Sequence, residues 1–329
     1  MDSRMIGGVA VAEIGLGCMN LSHAYGTPPG TGDAERLLHK AIDLGVTHFD
    51  TAALYGFGRN EELVGAALKP VRNRIHLASK CGMTGVDGKR VIDGRPETLK
   101  KTCEAALKRL QTDVIDLYYL HRWDKSVPIE DSIGTMRDLV SEGKIRALGL
   151  SEVSADTLRR AHAVHPIEAV QSEYSLCSRN AEIAVLDACR ELGTTFVAFS
   201  PLARGLLSGA VTDVSRLAEK DIRRNMPRFQ EPNFSRNLVL MDEFFTLAAE
   251  TGCTPSQLAL AWLLRKEDFI IPIPGTTSGH HLAENLAASG IRIPPDIGKR
   301  LDTLLDANAM HGNRYPAAAQ REVDTEEVS

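Results

Sequence analysis

Cysteine is sparse and unpatterned in this 329-residue chain: Cys18, Cys81, Cys103, Cys177, Cys189 and Cys253 are scattered without CxxC spacing. That argues against a disulfide framework or a cysteine zinc site and points to reduced thiols in a cytoplasmic protein. No apolar run approaches the roughly 18 residues that a bilayer span needs, so no membrane association is expected. The opening Met1-Asp2-Ser3-Arg4 has no charged segment leading into an apolar one, so no signal peptide is expected either. Positive charge is not in excess: 38 Lys and Arg stand against 43 Asp and Glu, a net charge of −5. Such a surface offers no field for a polyanion, which argues against nucleic acid as a partner. No Gly-x-Gly-x-x-Gly follows the first apolar run, which removes the main signature of an open dinucleotide-binding sheet.

What the chain does have is a repeated alternation. Short β-branched or aliphatic runs end at polar residues: Asp50 after Val46-Thr47-His48-Phe49, Lys80 after Ile75-His76-Leu77-Ala78-Ser79, and His121 after residues 114–120. Ser151, Gln171 and Ser200 close three further runs in the same way. Apolar residues at helical spacing lie between the runs and predict helices over 34–44, 60–68, 96–110, 129–142, 155–164 and 181–192. Asp33 reads as a helix cap and Gly45 as a stop. The stretch 9–17 is a hairpin remnant or a first strand, and counting it gives eight strands, the last over 269–273. Residues 201–236, after the seventh strand, carry glycine, proline and arginine without a period, as a lid over a ligand would. A helical region over 237–266 and a helix opening near Ser278 complete the pattern. The expected fold is α/β: one (β/α)8 barrel domain over 1–329, its core about 9–290, with 291–329 forming a C-terminal helix and a loosely held tail. In such a barrel the C-terminal strand ends build the active face, so the scattered polar residues converge.

The converging set has a chemical reading. Tyr55 lies in a glycine-flanked loop five residues after Asp50. A phenol titrates near 10, but an ammonium about 4 Å away favours the phenolate by about 4 kcal/mol, an upper bound because Asp50 cancels part of the field. Lys80 is therefore expected to pull Tyr55 down toward neutrality, while a neutral His121 holds the same substrate oxygen. A phenol, an ammonium and an imidazole around one point suit a carbonyl oxygen that gains negative charge. None of them is an activated nucleophile, and no metal site is expected, so the chemistry needs an external reductant such as a nicotinamide.

In type and order, Asp50, Tyr55, Lys80 and His121 resemble the catalytic tetrad of the aldo-keto reductases. The resemblance runs from about Ile14 to Asn285, through Asn60-Glu61, Gly149-Leu150-Ser151, Gln171 with Glu173-Tyr174-Ser175, residues 199–209 and Ile273-Pro274-Gly275-Thr276-Thr277. It implies that Tyr55 is the general acid, that Lys80 and Asp50 tune it, and that His121 orients the carbonyl of a small-molecule aldehyde or ketone. It further implies an NADPH site: Ser151, Glu152 and Gln171 at the carboxamide, Phe199 stacked on the ring, and Ser200, Pro201, Leu202, Gly205 and Leu207 around the pyrophosphate. Gly275, Thr276, Thr277, His281, Glu284 and Asn285 would surround the adenosine end. Two positions depart from the pattern. Glu152 stands where asparagine is usual, and His281 where an arginine reaches the 2′-phosphate, which leaves NADH use open. Tyr25 and Trp123 are candidate substrate-pocket walls, and Phe229, Arg204 and Arg228 candidates around the loop. A nicotinamide-binding regulatory subunit like the potassium-channel β-subunits, an alcohol or sugar dehydrogenase, and homo-oligomerisation all stay open.

Overall fold

The computed structural model describes residues 2–327. Two antiparallel strands, β1 (Ser3–Ile6) and β2 (Val9–Ala12), precede the barrel. The barrel then takes β3 (Leu16–Gly17), helix α1 (Thr31–Asp43), β4 (His48–Asp50), α2 (Arg59–Leu68) and β5 (His76–Cys81). A second hairpin, β6 (Met83–Val86) and β7 (Lys89–Ile92), interrupts it before α3 (Pro96–Leu110) and β8 (Ile115–Leu120). Next come α4 (Ile129–Ser141), β9 (Ile145–Ser151), α5 (Ala155–Val164), β10 (Ala169–Glu173), α6 (Val185–Leu192) and β11 (Thr195–Phe199). The remainder is α7 (Asn233–Thr251), α8 (Pro255–Leu264), β12 (Ile270–Pro272), α9 (Gly279–Ala287), α10 (Pro295–Leu304) and the short α11 (Ala317–Gln320). No helix among the described residues is long and apolar enough to cross a membrane.

Eight parallel strands lie in the order β3-β4-β5-β8-β9-β10-β11-β12. The ends of that order meet, because Gly15 N donates to Pro272 O at 3.0 Å and Gly17 N to Pro274 O at 3.3 Å. A Cβ at residue 17 would stand 2.8 Å from Ile273 O, so only glycine permits this approach. The fold is thus the (β/α)8 barrel. The stretch 9–17 turns out to be both things its sequence suggested. Val9–Ala12 belongs to the leading hairpin and Leu16–Gly17 to the barrel.

Strand periodicity decides which side chains enter the barrel. Alternate residues face alternate sides, and the register pairs His48 with His76, Asp50 with Ala78, Lys80 with Tyr119, Tyr119 with Gly149, and Ser151 with Gln171. The interior packing therefore contains Ala78, Leu117, Tyr119, Ala169, Val197 and Ile271, with Ile6 and Val11 of the hairpin plugging its floor. Continuing each inward row to the C-terminal end reaches Asp50, Lys80, His121, Ser151, Gln171 and Phe199. The opposite parity packs outward on the helices, as with Phe49, Leu77, Tyr118 and Leu148.

Several boundaries differ from the sequence expectation. Helix α1 starts at Thr31 with Gly30 as its cap, so Asp33 lies in its first turn and acts on the helix dipole instead of capping. Residues 180–182 form a separate 3₁₀ turn, and α6 begins only at Val185. The region 237–266 is two helices, broken where Thr254 caps α8 in a reciprocal side-chain pair with Gln257. The β6–β7 hairpin was not anticipated. The tail is not loosely held: Tyr315 and Val323 are buried, and Arg314 is buried with them. It docks because its acids meet the N-terminus of α5, where Asp324 accepts from Ser154 N at 3.2 Å and Glu326 from Ala155 N at 2.8 Å.

Candidate active site

A cavity of about 780 Å³ opens at the C-terminal end of the barrel. Asp50, Tyr55 and His121 line it, with Lys80 directly behind and wholly buried. The Lys80 ammonium is ion-paired with Asp50 and donates to Thr51 O at 2.8 Å and to the Tyr55 hydroxyl at 3.5 Å. Asp50 in turn accepts from Gln171 Nε2 at 2.7 Å. Tyr55 meets the edge of His121, with ring centroids 5.9 Å apart. The loop between β4 and α2 is fixed by Asn60, which accepts from Thr51 Oγ1 at 2.6 Å and donates to Cys18 O at 2.8 Å. A residue five past Tyr55 in sequence thereby holds the phenol in place.

The electrostatics follow from burial. Burial alone would strip Lys80 of its proton, but the adjacent Asp50 and Tyr55 outweigh it and raise its pKa. His121 is held well below the usual imidazole range by burial, then by Arg122, Lys80 and Arg90, so it is neutral. Its Nδ1 has no hydrogen-bond partner among the described residues. Tyr55 reverses the sequence expectation: its pKa is raised, because burial outweighs the pull of Lys80. The phenol keeps its proton at neutral pH.

Most of the other sequence candidates reach the same cavity. Ser151, Gln171, Phe199, Ser200, Pro201, Leu202 and Gly205 line one side, and Gly275, Thr276, Thr277, His281, Glu284 and Asn285 the other. Tyr25 also lines it, its hydroxyl accepting from Arg204 at 3.0 Å. Five candidates do not line it, Arg228 among them. Leu207 is packed in the core. Phe229 is buried and stacked on Phe234. Trp123 donates its indole N–H to Val127 O at 2.9 Å, behind the wall. Glu152 is turned into a buried ion pair with Arg314 at 3.1 Å and accepts from Glu173 N at 2.8 Å. Asparagine could not neutralise Arg314 as this acid does.

That pair belongs to a buried cluster. Glu173 is held down at about 2, burial being outweighed by Arg204, Arg314 and Arg228. Arg204 donates to it at 2.7 Å. Arg204 is therefore a cavity residue fixed by an ion pair, while Arg228 donates to Ser178 Oγ at 2.6 Å.

Sequence reading missed the residues that arrive from outside the barrel strands. Met83 and Arg90 come from the β6–β7 hairpin, Arg122 from the residue after His121, and Tyr315, Pro316 and Ala319 from the tail. For the hairpin a signal existed. Asp87-Gly88, with φ of 49° and 73°, is the turn that joins two short strands tightly. Lys40 was also missed; its Nζ would lie 3.1 Å from a Cβ on Gly279, beside the N-terminus of α9.

Comparison with known proteins gives a consistent picture. The family model described as "Aldo/keto reductase family" matches residues 13–306. Among solved structures, a glycerol dehydrogenase from Gluconobacter oxydans aligns with a TM-score of 0.85 at 31% identity, over 93% of this chain and 97% of that one. An aldo-keto reductase from Bacillus halodurans, in its holo form, aligns at 0.79 and 28%, over 93% and 97%. An aldo-keto reductase from Klebsiella pneumoniae, in complex with NADPH, aligns at 0.73 and 27%, over 96% and 98%. With the family model running from just before β3 to just past α10, the chain belongs to the aldo/keto reductase family.

Proposed function

We propose that the protein reduces aldehydes and ketones to alcohols with NADPH, Tyr55 giving the proton. The observation that carries this reading is a phenol hydroxyl 3.5 Å from a buried ammonium, beside an imidazole whose Nδ1 has no partner among the described residues. The cavity fits the dinucleotide on its own chemistry. It runs from Tyr55 to Asn285, is within the usual size of ligand sites, and ends at the N-terminus of α9 with His281 exposed there and Lys40 close by. A helix N-terminus with a lysine and an imidazole beside it favours phosphate. Membership of the family and the NADPH complex of the Klebsiella relative support the same cofactor.

When bound, the nicotinamide supplies the hydride. His121 positions the substrate oxygen, and Tyr55 gives that oxygen its proton. Lys80 then stabilises the phenolate left behind, in a site too buried for water to do so. Asp50, held by Gln171, keeps Lys80 in place. Ser151 would hold the carboxamide, Phe199 would stack on the ring, and residues 200–205 would follow the pyrophosphate. Tyr55→Phe is expected to lower kcat by at least about a hundredfold, within the range of general acid catalysis, while the Kd for NADPH from fluorescence quenching stays put. Turnover comparable to wild type in that variant would remove Tyr55 from the role.

The glycerol dehydrogenase relative favours a second reading, alcohol oxidation as the physiological direction. The same residues would then run in reverse, with Tyr55 taking a proton. Its raised pKa supports the acid role at neutral pH, and rates measured in both directions at pH 7 separate the two.

A further inference from the structure

Four arginines line the cavity, and three of them are matched. Arg90 pairs with Glu322, Arg204 with Glu173 and Arg223 with Asp221. Arg122 is different: among the described residues it has no carboxylate partner. Its Nη1 donates to His121 O at 2.7 Å and to Ser151 Oγ at 3.2 Å. Among the described residues neither Nε nor Nη2 has a protein acceptor, and together they form a two-donor edge of the guanidinium plane. The residue is only partly exposed. A permanent cation withdrawn from bulk water without a counter-ion is costly, and a planar two-donor edge matches a carboxylate.

Its place along the cavity separates this charge from the phosphate end. Arg122 follows His121 directly and touches Ser151, whereas His281, Lys40 and the start of α9 belong to the far end. Asp50, an acid of the same cavity, is already held by Lys80 and Gln171. Leu54, Met83 and Tyr315 supply apolar wall to the same cavity. We propose that Arg122 selects carbonyl substrates bearing a carboxylate, an aldehyde or ketone on an apolar or aromatic body whose acid group docks on the free edge of the guanidinium. This rests on the reductase reading above and adds a substrate class to it.

The test uses two aldehydes of nearly the same shape, 4-carboxybenzaldehyde and methyl 4-formylbenzoate, with NADPH and the full chain. Wild type is expected to favour the acid in kcat/KM by about tenfold or more, the span of a charge-assisted hydrogen bond. Arg122→Met should bring that ratio to about one, and Arg122→Lys should keep part of it, since a point charge attracts without the fork. The ratio divides out any general effect of the change on Ser151 or His121. Calorimetric binding of benzoate against benzamide to the NADPH-loaded protein gives a reading that needs no turnover; Arg122→Met should weaken only benzoate, again about tenfold. A ratio unchanged by the substitution overturns the proposal. So does an equal loss on both aldehydes together with weaker NADPH binding, which would make Arg122 a cofactor contact. If benzoate binds through Arg122 yet neither aldehyde is reduced, the anion site stands and the reductase reading fails.

Discussion

Lys80 is wholly buried yet charged, because Asp50, Thr51 O and the Tyr55 hydroxyl surround its three donors. The consequence for Tyr55 is a division of labour in time. In the role proposed for it, the phenol is protonated before transfer, since burial raises its pKa, and the ammonium would then already be in position to meet the new negative charge. A group with a raised pKa holds its proton below that value and loses it only above. kcat for reduction should therefore be level from about pH 6 to 9 and decline only above about pH 10. An inflection near pH 7 in saturating NADPH and substrate would contradict this. At this scale much was legible. Asp50, Lys80, His121, Ser151 and Gln171 share one parity on successive strands, and parity is written in the alternation of apolar residues. The proton on Tyr55 was not legible, because a sequence gives the charge of Lys80 but not the depth at which it acts.

The element with most consequence outside the barrel is the tail. Arg314 and Glu152 are both nearly inaccessible, at 4% and 0% side-chain exposure, so their pair is a buried one. Removing one partner strands the other. Arg314→Met is expected to cost about 3 kcal/mol, seen as a lower denaturation midpoint, and to raise KM as Tyr315 leaves the cavity wall. The double variant Arg314→Met with Glu152→Gln should lose clearly less than Arg314→Met alone, because no uncompensated acid is left; an equal or larger loss would mean the pair is not what anchors the segment. Other ties lie nearer the surface: Arg90 to Glu322 at 2.6 Å from the β6–β7 hairpin, and the Lys125 ammonium to Val323 O at 2.9 Å. Helices such as Pro96–Leu110 and Ala155–Val164 were legible to the residue, since their apolar spacing repeats. The tail has no repeat. It is held by single ionic contacts with partners more than a hundred residues away, and local patterning carries no trace of these.

For the molecule as a whole, the active end of the barrel is matched by an unusual floor. His48 and His76 face one another with their Nδ1 atoms 3.0 Å apart, and His48 Nε2 has no partner among the described residues. Both are held well below the ordinary imidazole range, chiefly by burial. The unfolded chain takes up protons at these imidazoles near pH 6.5, whereas the folded one does so only at much lower pH. Between those values the unfolded state binds more protons, so stability is full above about 6.5 and falls as the pH drops, by up to about 1.4 kcal/mol per pH unit for each imidazole. Urea midpoints taken from pH 7 down to pH 5, above the carboxylate range, should fall steadily in wild type and less steeply in His76→Gln. Parallel slopes would acquit the pair. The eight strands could be counted in the sequence, but the meeting of these two rings depends on register, which only the closed sheet defines.

The roof of the cavity carries a lesson about biosynthesis. Every strand and the whole tetrad precede residue 274, while Tyr315, Pro316 and Ala319 are translated after all of them. A nascent chain can close its barrel and place Tyr55 against Lys80 while the ribosome still holds the segment that completes the wall. Completion of the cavity wall is thus deferred until residues 314–319 emerge and Arg314 finds Glu152.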